Sequence, residues 1–441
     1  MQARIRLLLC GWCAALLLPL ALRPQSWQQM TPASGTAPVP RRNAAAVYDT
    51  TGHRLIIFGG RTTAGDRNDV WALHLTTNTW TELTPATGPA PAPRFTANGV
   101  YDSAQQLMLI WSGQGAGFFN DVWAFSLKDH SWSQFTPPDP KPNVRYGTAA
   151  VFDPRRRELV TFAGFTDQGR FDDTWRFKPA ENAWQQLGLA IHPEKRCLHT
   201  ACYDSRDHRM IIYGGQTNGP RGDIWAFDLD QNQWLDLTPA ASPAGRWFPA
   251  SIYDSRNHRV INFGGNLGAS QTNELWAFAL ESSRWQQLHA AGVAPASREG
   301  AAAIYLPDED RMVIFGGRGG ATDFNDVWFL NDLSAATSVE QDGGTSTAPR
   351  SLRLLGNYPN PFNPETVIVY ELPQPQAVTL EIYNALGQRT RRLVNQTLPA
   401  GRHRVHWDGK DEMGRKAAPG VYFCVLRSGK LSTARKMVLL E

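Results

Sequence analysis

The chain has 441 residues, 42% of them hydrophobic, and a formal net charge of +4. This is ordinary globular composition at a length that allows two or three domains. The charge is uneven: residues 351–441 hold 13 Lys+Arg against 7 Asp+Glu, and residues 24–350 hold 28 against 33, which excludes the basic surface of a nucleic-acid-binding domain from the larger part.

Residues 1–23 read as a secretory signal peptide. Arg4 and Arg6 form the charged start, and the apolar stretch Leu7–Leu22 is short for a membrane-spanning helix. Cys10 and Cys13 lie inside it, but Leu9 and Trp12 precede them where a lipoprotein anchor wants a small residue. No later segment could span a membrane. The other three cysteines, Cys197, Cys202 and Cys424, make no disulfide framework. Cys197 and Cys202 are expected on one strand, pointing to opposite faces and poorly placed to bridge. No His or Cys joins them at metal-binding spacing, and no metal or cofactor is expected.

From Pro40 onward one phrase recurs six times. An Arg opens it (Arg41, Arg94, Arg145, Arg196, Arg246, Arg298), at spacings of 53, 51, 51, 50 and 52. A glycine pair follows (Gly59-Gly60, Gly214-Gly215, Gly264-Gly265, Gly316-Gly317), degraded to Ser112-Gly113 and Ala163-Gly164. A Trp then marks the middle: Trp71, Trp123, Trp175, Trp225, Trp276, Trp328. Each copy predicts four short strands: a small-residue run, a β-branched run, a strand after a longer loop, and one beginning at a second Trp such as Trp80 or Trp234. Ala and Gly crowd the first because the innermost strands of neighbouring sheets converge on an axis. The sixth copy lacks its second Trp near Thr337. Trp27-Gln28-Gln29-Met30-Thr31-Pro32 parallels Trp80-Thr81-Glu82-Leu83-Thr84-Pro85, so an N-terminal strand is expected to complete the sixth sheet and close the ring, removing exposed edges.

A period near 50 with paired Gly and spaced Trp is the kelch pattern. Residues 24–332 resemble the kelch and galactose-oxidase-like propeller family, which implies an all-β, six-bladed propeller. In related propellers the Arg position can reach anionic ligand groups, and guanidinium forks suit carboxylates. The competing reading is that each Arg pairs with a repeat acid or a backbone carbonyl and holds blades together. The repeat acids Asp69, Asp121, Asp173, Asp223, Glu274 and Asp326 read as turn formers.

The candidate ligand-binding set is the six Arg with Phe95, Tyr146, Trp247 and Glu299, which follow four of them; Arg42 and Cys197 follow the other two. Arg61, Phe118, Phe119, Arg170, Phe171, Arg221, Arg318 and Phe324 add aromatic and Arg character to the same rim, suited to a protein or glycan. His199 has no partner and reads as structural. A galactose-oxidase-type copper site would need clustered Tyr and His ligands. Cys197 and Cys202 lie near Tyr203 without a His pair, and no catalytic residue is assigned. Glu299 is the one candidate acid for a carbohydrate-active alternative.

Residues 333–350 read as a linker rich in Ser, Thr, Ala and Gly. Residues 351–441 predict a small immunoglobulin-like β-sandwich with strands at Val367–Leu372, Val378–Tyr383, His403–Trp407, Val421–Leu426 and Thr433–Leu440. Asn357–Thr366, Tyr383–Gly387, Trp407-Asp408-Gly409, Pro419-Gly420-Val421-Tyr422 and Arg435-Lys436-Met437-Val438-Leu439 make this module similar to the type A C-terminal sorting domain of type IX secretion, related to the immunoglobulin-like domain of flagellar hook-cap proteins. That resemblance implies an address read by an outer-membrane translocon and often cleaved. The expected protein is thus an exported, extracellular or surface-held binding module for a protein or glycan, with no nucleic-acid partner and no transmembrane segment.

Overall fold

The computed structural model describes residues 24–31, 36–334, 352–358, 362–372, 374–399, 401–429 and 431–440. The signal-peptide reading of residues 1–23, with Cys10 and Cys13, and most of the expected linker lie outside them. The chain divides into two compact units, Met1–Ser338 and Val339–Glu441. Among the described residues there is no helix.

The larger unit contains six four-stranded antiparallel sheets, each a blade. The first is Ala45–Asp49, Arg54–Thr62, Gly65–His74 and Thr79–Glu82. The inner strands Ala45–Asp49, Asn98–Asp102, Ala149–Asp153, Thr200–Asp204, Ala250–Asp254 and Ala302–Leu306 neighbour one another in that order, and the sixth neighbours the first. The sixth sheet draws its outer strand from the start of the described chain. Ser26–Gln29 pairs with Val327–Asn331, setting Trp27 opposite Leu330.

The outer-strand Trp explains how blades stack. Trp80 packs on Phe315 of the sixth blade, Trp132 on Phe58, Trp184 on Trp111, Trp234 on Phe162 and Trp285 on Tyr213, with ring centroids 4.5–5.1 Å apart. Trp27 takes the remaining place, against Phe263 at 5.1 Å. Every blade therefore lays one indole on an aromatic of the blade before it, and truncating such a residue costs about 3–5 kcal/mol.

The smaller unit is a β-sandwich. Its three-stranded sheet is Arg353–Tyr358, Thr366–Leu372 and Gly401–Trp407; its four-stranded sheet is Arg389–Leu398, Gln376–Asn384, Gly420–Ser428 and Leu431–Leu439. Trp407, Phe362, Ile382, Cys424 and Met437 fill the core. Two of these strands were absent from the sequence reading. Arg353–Tyr358 carries Gly356 and Asn357, which look like turn residues. Arg389–Leu398 has no apolar alternation, because Arg389 and Arg392 face Glu381, and Arg391 faces Asp408.

Candidate functional site

The repeated Arg closes a clasp in every blade. In the first, Arg41 donates from Nη1 and Nη2 to the two carboxylate oxygens of Asp69 at 2.6 and 2.8 Å, from Nη1 also to the Gly59 carbonyl, and from Nε to the Val39 carbonyl. Arg94, Arg145, Arg196 and Arg298 repeat this on Asp121, Asp173, Asp223 and Asp326, and Arg246 holds one oxygen of Glu274. The backbone of the same Arg belongs to the preceding blade. Its N–H donates to a carbonyl there at 2.8–3.1 Å, and its carbonyl accepts from the second residue of that blade's glycine pair, as Gly317 donates to Arg41 at 2.9 Å. One residue thus ties two blades, and Arg41 ties the first to the sixth.

All six Arg are 0–2% exposed, and Nε, Nη1 and Nη2 are each engaged within the blade, so these members of the candidate set stand beneath the mouth as clasps. The repeat acids are correspondingly more than turn formers. Each accepts from its Arg and from the indole Nε1 of the Trp two residues on, at 2.7–3.0 Å. Burial alone would raise the Asp69, Asp223 and Glu274 carboxyls; hydrogen bonds and charge from Arg41, Arg196 and Arg246 outweigh it and hold them below the usual range. Phe119, Phe171 and Phe324, expected on the rim, lie over the guanidiniums of Arg94, Arg145 and Arg298 at 3.9, 3.9 and 4.2 Å, sealing them.

The residue after each Arg is buried in two blades, Phe95 at 8% and Cys197 at 1% exposed, and half-buried in the other four. Arg42 donates to Asp323 of the sixth blade at 2.6 Å. Arg61 pairs with Asp66 and lies over the Phe95 ring at 3.6 Å. Tyr146 is stacked on Phe118 at 5.6 Å and met edge-on by Phe165 at 5.6 Å. Cys197 is buried; burial raises its thiol pKa against the lowering effect of Arg170. It precedes the strand Thr200–Asp204 that holds Cys202, so the two do not share a strand, and both are free. Trp247 is half-buried. Glu299 accepts from Asn266 at 3.0 Å and Gln271 at 3.1 Å.

One residue further on, the sequence reading missed a feature. Asn43, Thr96, Gly147, Leu198, Phe248 and Gly300 all have φ between 51 and 63°. They hydrogen-bond in series across blades: Asn43 N–H to the Gly300 carbonyl, Gly300 to Phe248, Phe248 to Leu198, Leu198 to Gly147, and Thr96 to Asn43, at 2.7–3.0 Å. This collar rings the channel, which is otherwise lined by small residues with Asn98, Thr148, His199, Thr200, Pro249 and Ser251. The left-handed region suits glycine, and a bulky residue held there costs on the order of 1–3 kcal/mol. The glycines at 147 and 300 make room for neighbours: a Cβ at Gly147 would meet Leu198 Cδ2 at 2.5 Å, and one at Gly300 would collide with Asn43 Oδ1. The only sequence signal was the position itself, two residues past each Arg.

Deeper in, His199 is 5% exposed, with its ring against the edge of Phe162. Burial, then Arg196, pulls its pKa down to about 3, so it is neutral. On the opposite face, the Asp ending each of the first five inner strands is held from the next blade: Asp49 by Tyr101, Asp102 by Arg157, Asp153 by His208, Asp204 by His258 and Asp254 by Tyr305. Asp204, Asp207 and His258 also cluster at metal-binding spacing, but Arg209 already occupies both carboxylates.

Comparison with known proteins supplies the context. The KLHDC2/KLHL20/DRC7 kelch-repeats domain family matches residues 16–191 and again 189–354, and the FlgD immunoglobulin-like domain family matches residues 363–429. Dynein regulatory complex subunit 7 of Chlamydomonas reinhardtii is 40% identical over 88 residues, 20% of this chain and 7% of that protein. The flagellar outer-arm dynein alpha chain of the same organism is 28% identical over 207 residues, 42% of this chain and 4% of that one. The serine/threonine-protein phosphatase BSL2 of Arabidopsis thaliana is 27% identical over 205 residues, 44% of this chain and 19% of that one. The chain therefore spans less than a fifth of each of these relatives. The clasped Arg, the six blades and the double match together place the chain in the KLHDC2/KLHL20/DRC7 family of kelch-repeat proteins.

Proposed function

We propose that this chain is an exported protein-binding module, whose kelch propeller captures a partner at the channel mouth and whose C-terminal domain directs export through type IX secretion. One observation carries the binding half. Directly after a structural Arg that never changes, the six blades carry six different residues, Arg42, Phe95, Tyr146, Cys197, Trp247 and Glu299. A purely structural position would repeat, as the Arg does. Aromatic and Arg side chains at a rim are the residues that anchor protein interfaces. Supporting the address half are the leader-like residues 1–23 and the match of residues 363–429 to the FlgD immunoglobulin-like domain.

A carbohydrate-active reading would use Glu299 as its acid. That carboxylate is engaged by two amides, and among the described residues lining the channel none is acidic. Deleting residues 351–441 in a host with type IX secretion tests the address. The truncated propeller is expected to stay in the periplasm on cell fractionation; its unchanged appearance in the medium would remove the address reading.

A further inference from the structure

On the smaller unit three cations share one acid. Glu381 points outward from the strand Gln376–Asn384, between the core residues Leu380 and Ile382, yet it is only 4% exposed. Arg389 Nη1 and Arg392 Nε donate to its Oε1 at 3.2 and 2.9 Å, and Arg427 Nη1 donates to its Oε2 at 2.7 Å. Among the described residues these guanidiniums have no other carboxylate, so the patch holds two positive charges in excess, on side chains 39–46% exposed. The backbone builds this convergence. Residues three apart on a regular strand face opposite sides. Arg389 and Arg392 are three apart, but the register of their strand slips at Thr390, setting Arg389 opposite Tyr383 and Arg392 opposite Glu381. Both then share the outer face with Glu381. Bulges that re-aim a side chain in this way are designed features of a sheet. The neighbouring strand Gly420–Ser428 places Phe423 opposite Tyr383 on the same face, 39% exposed, with Val421 and Val425 half-buried to either side of it. None of these three joins the sandwich core among the described residues.

We infer that this outer sheet face docks on an anionic lipid bilayer, with Arg389, Arg392 and Arg427 on headgroup phosphates and Phe423 entering the apolar boundary beneath them. Guanidinium forks suit phosphate oxygens, and each of the three spends only part of its donors on Glu381. The excess of 13 Lys+Arg over 7 Asp+Glu in residues 351–441 complements an anionic surface, which attracts basic residues over about a Debye length. An apolar row flanked by cations is the arrangement that seats a peripheral protein at the headgroup level. A soluble anion would use the arginines and leave the Phe423 row unmatched. The inference is independent of the channel-mouth reading and of the export address.

The experiment sediments the full chain with vesicles of phosphatidylcholine alone and of equal parts phosphatidylcholine and phosphatidylglycerol. The variants are Arg392→Gln, Arg427→Gln, Phe423→Ser and Glu381→Gln. The parent is expected to sediment with the anionic vesicles and not with the neutral ones, and less so as salt rises. R392Q and R427Q should each lower partitioning about fivefold, and F423S severalfold. E381Q removes the carboxylate that competes with phosphate and should bind at least as well as the parent. Should R392Q or R427Q fail to fold, F423S and E381Q keep every cation and carry the prediction. Equal sedimentation with both vesicles, or with neither, overturns the docking face, as do folded Arg and Phe423 variants that bind like the parent. Binding that inorganic phosphate abolishes and F423S leaves unchanged would mark a soluble-anion site and overturn the bilayer as partner. Binding to polyglutamate without binding to the anionic vesicles would assign an acidic protein instead and overturn it equally.

Discussion

Directly after the clasp Arg the first three blades carry Arg42, Phe95 and Tyr146; the last three carry Cys197, Trp247 and Glu299. Beneath these residues the two halves, each matched once by the same family, are nearly interchangeable. Arg41 and Arg196 make the same clasp on Asp69 and Asp223, and the collar's glycines, Gly147 and Gly300, stand in the third blade of each half. The mouth departs from this symmetry. In the first half Arg61 covers Phe95, and Phe118 and Phe165 pack on Tyr146. In the second, amides of Asn266 and Gln271 hold Glu299. Side chains that the halves share hold blades together; on the proposed reading, those that differ are the ones that meet a partner.

Breaking the shared layer should have the largest effect. Arg94→Ala leaves Asp121 partly buried without its cation and removes bonds to the Ser112 and Ala92 carbonyls. Removing one member of a buried pair costs about 3–5 kcal/mol, and chemical denaturation of the variant should show a loss of that size. Arg246→Ala, whose partner Glu274 is bound through one oxygen and is 37% exposed, should lose less. An equal loss at both sites would mean that the clasp's carboxylate contributes little.

Acid should weaken both halves together. Asp69 and Asp223 sit below the ordinary carboxylate range because Arg41 and Arg196 outweigh burial. A carboxyl lowered in the folded state contributes stability that is complete above its unfolded value, about 4, and is lost as pH falls toward the folded one. Thermal melts should therefore be flat from about pH 7 to about pH 5 and decline below about pH 4. A melting temperature that rises on acidification through this window would contradict the clasp electrostatics.

The six blades were legible because their causes are written in side chains. An Arg that must reach an acid, and an indole that must reach a neighbour's aromatic, recur at fixed spacing. The collar was not legible, because a left-handed Leu198 or Phe248 looks like any apolar residue, and only backbone geometry marks it. Phe119, Phe171 and Phe324 were placed with the rim because sequence gives a loop position and not a direction; in space they face the guanidiniums. The strand Arg389–Leu398 escaped because ion pairs to Glu381 and Asp408, rather than alternating burial, set its exposed positions.

The smallest effects on stability, and the sharpest on binding, belong to the residues that differ between halves. Tyr146 and Trp247 are each half-buried, and Tyr146→Ala and Trp247→Ala should each cost no more than about 1–2 kcal/mol of folding stability. The most direct test measures, for these two variants and for R94A in the full chain, both unfolding free energy and affinity for peptides selected on the parent protein from a displayed random library. Y146A and W247A are expected to keep most of their stability and lose about tenfold or more in affinity, while R94A loses stability first. Undiminished peptide affinity in both Y146A and W247A, with the fold intact, would contradict the proposed binding reading.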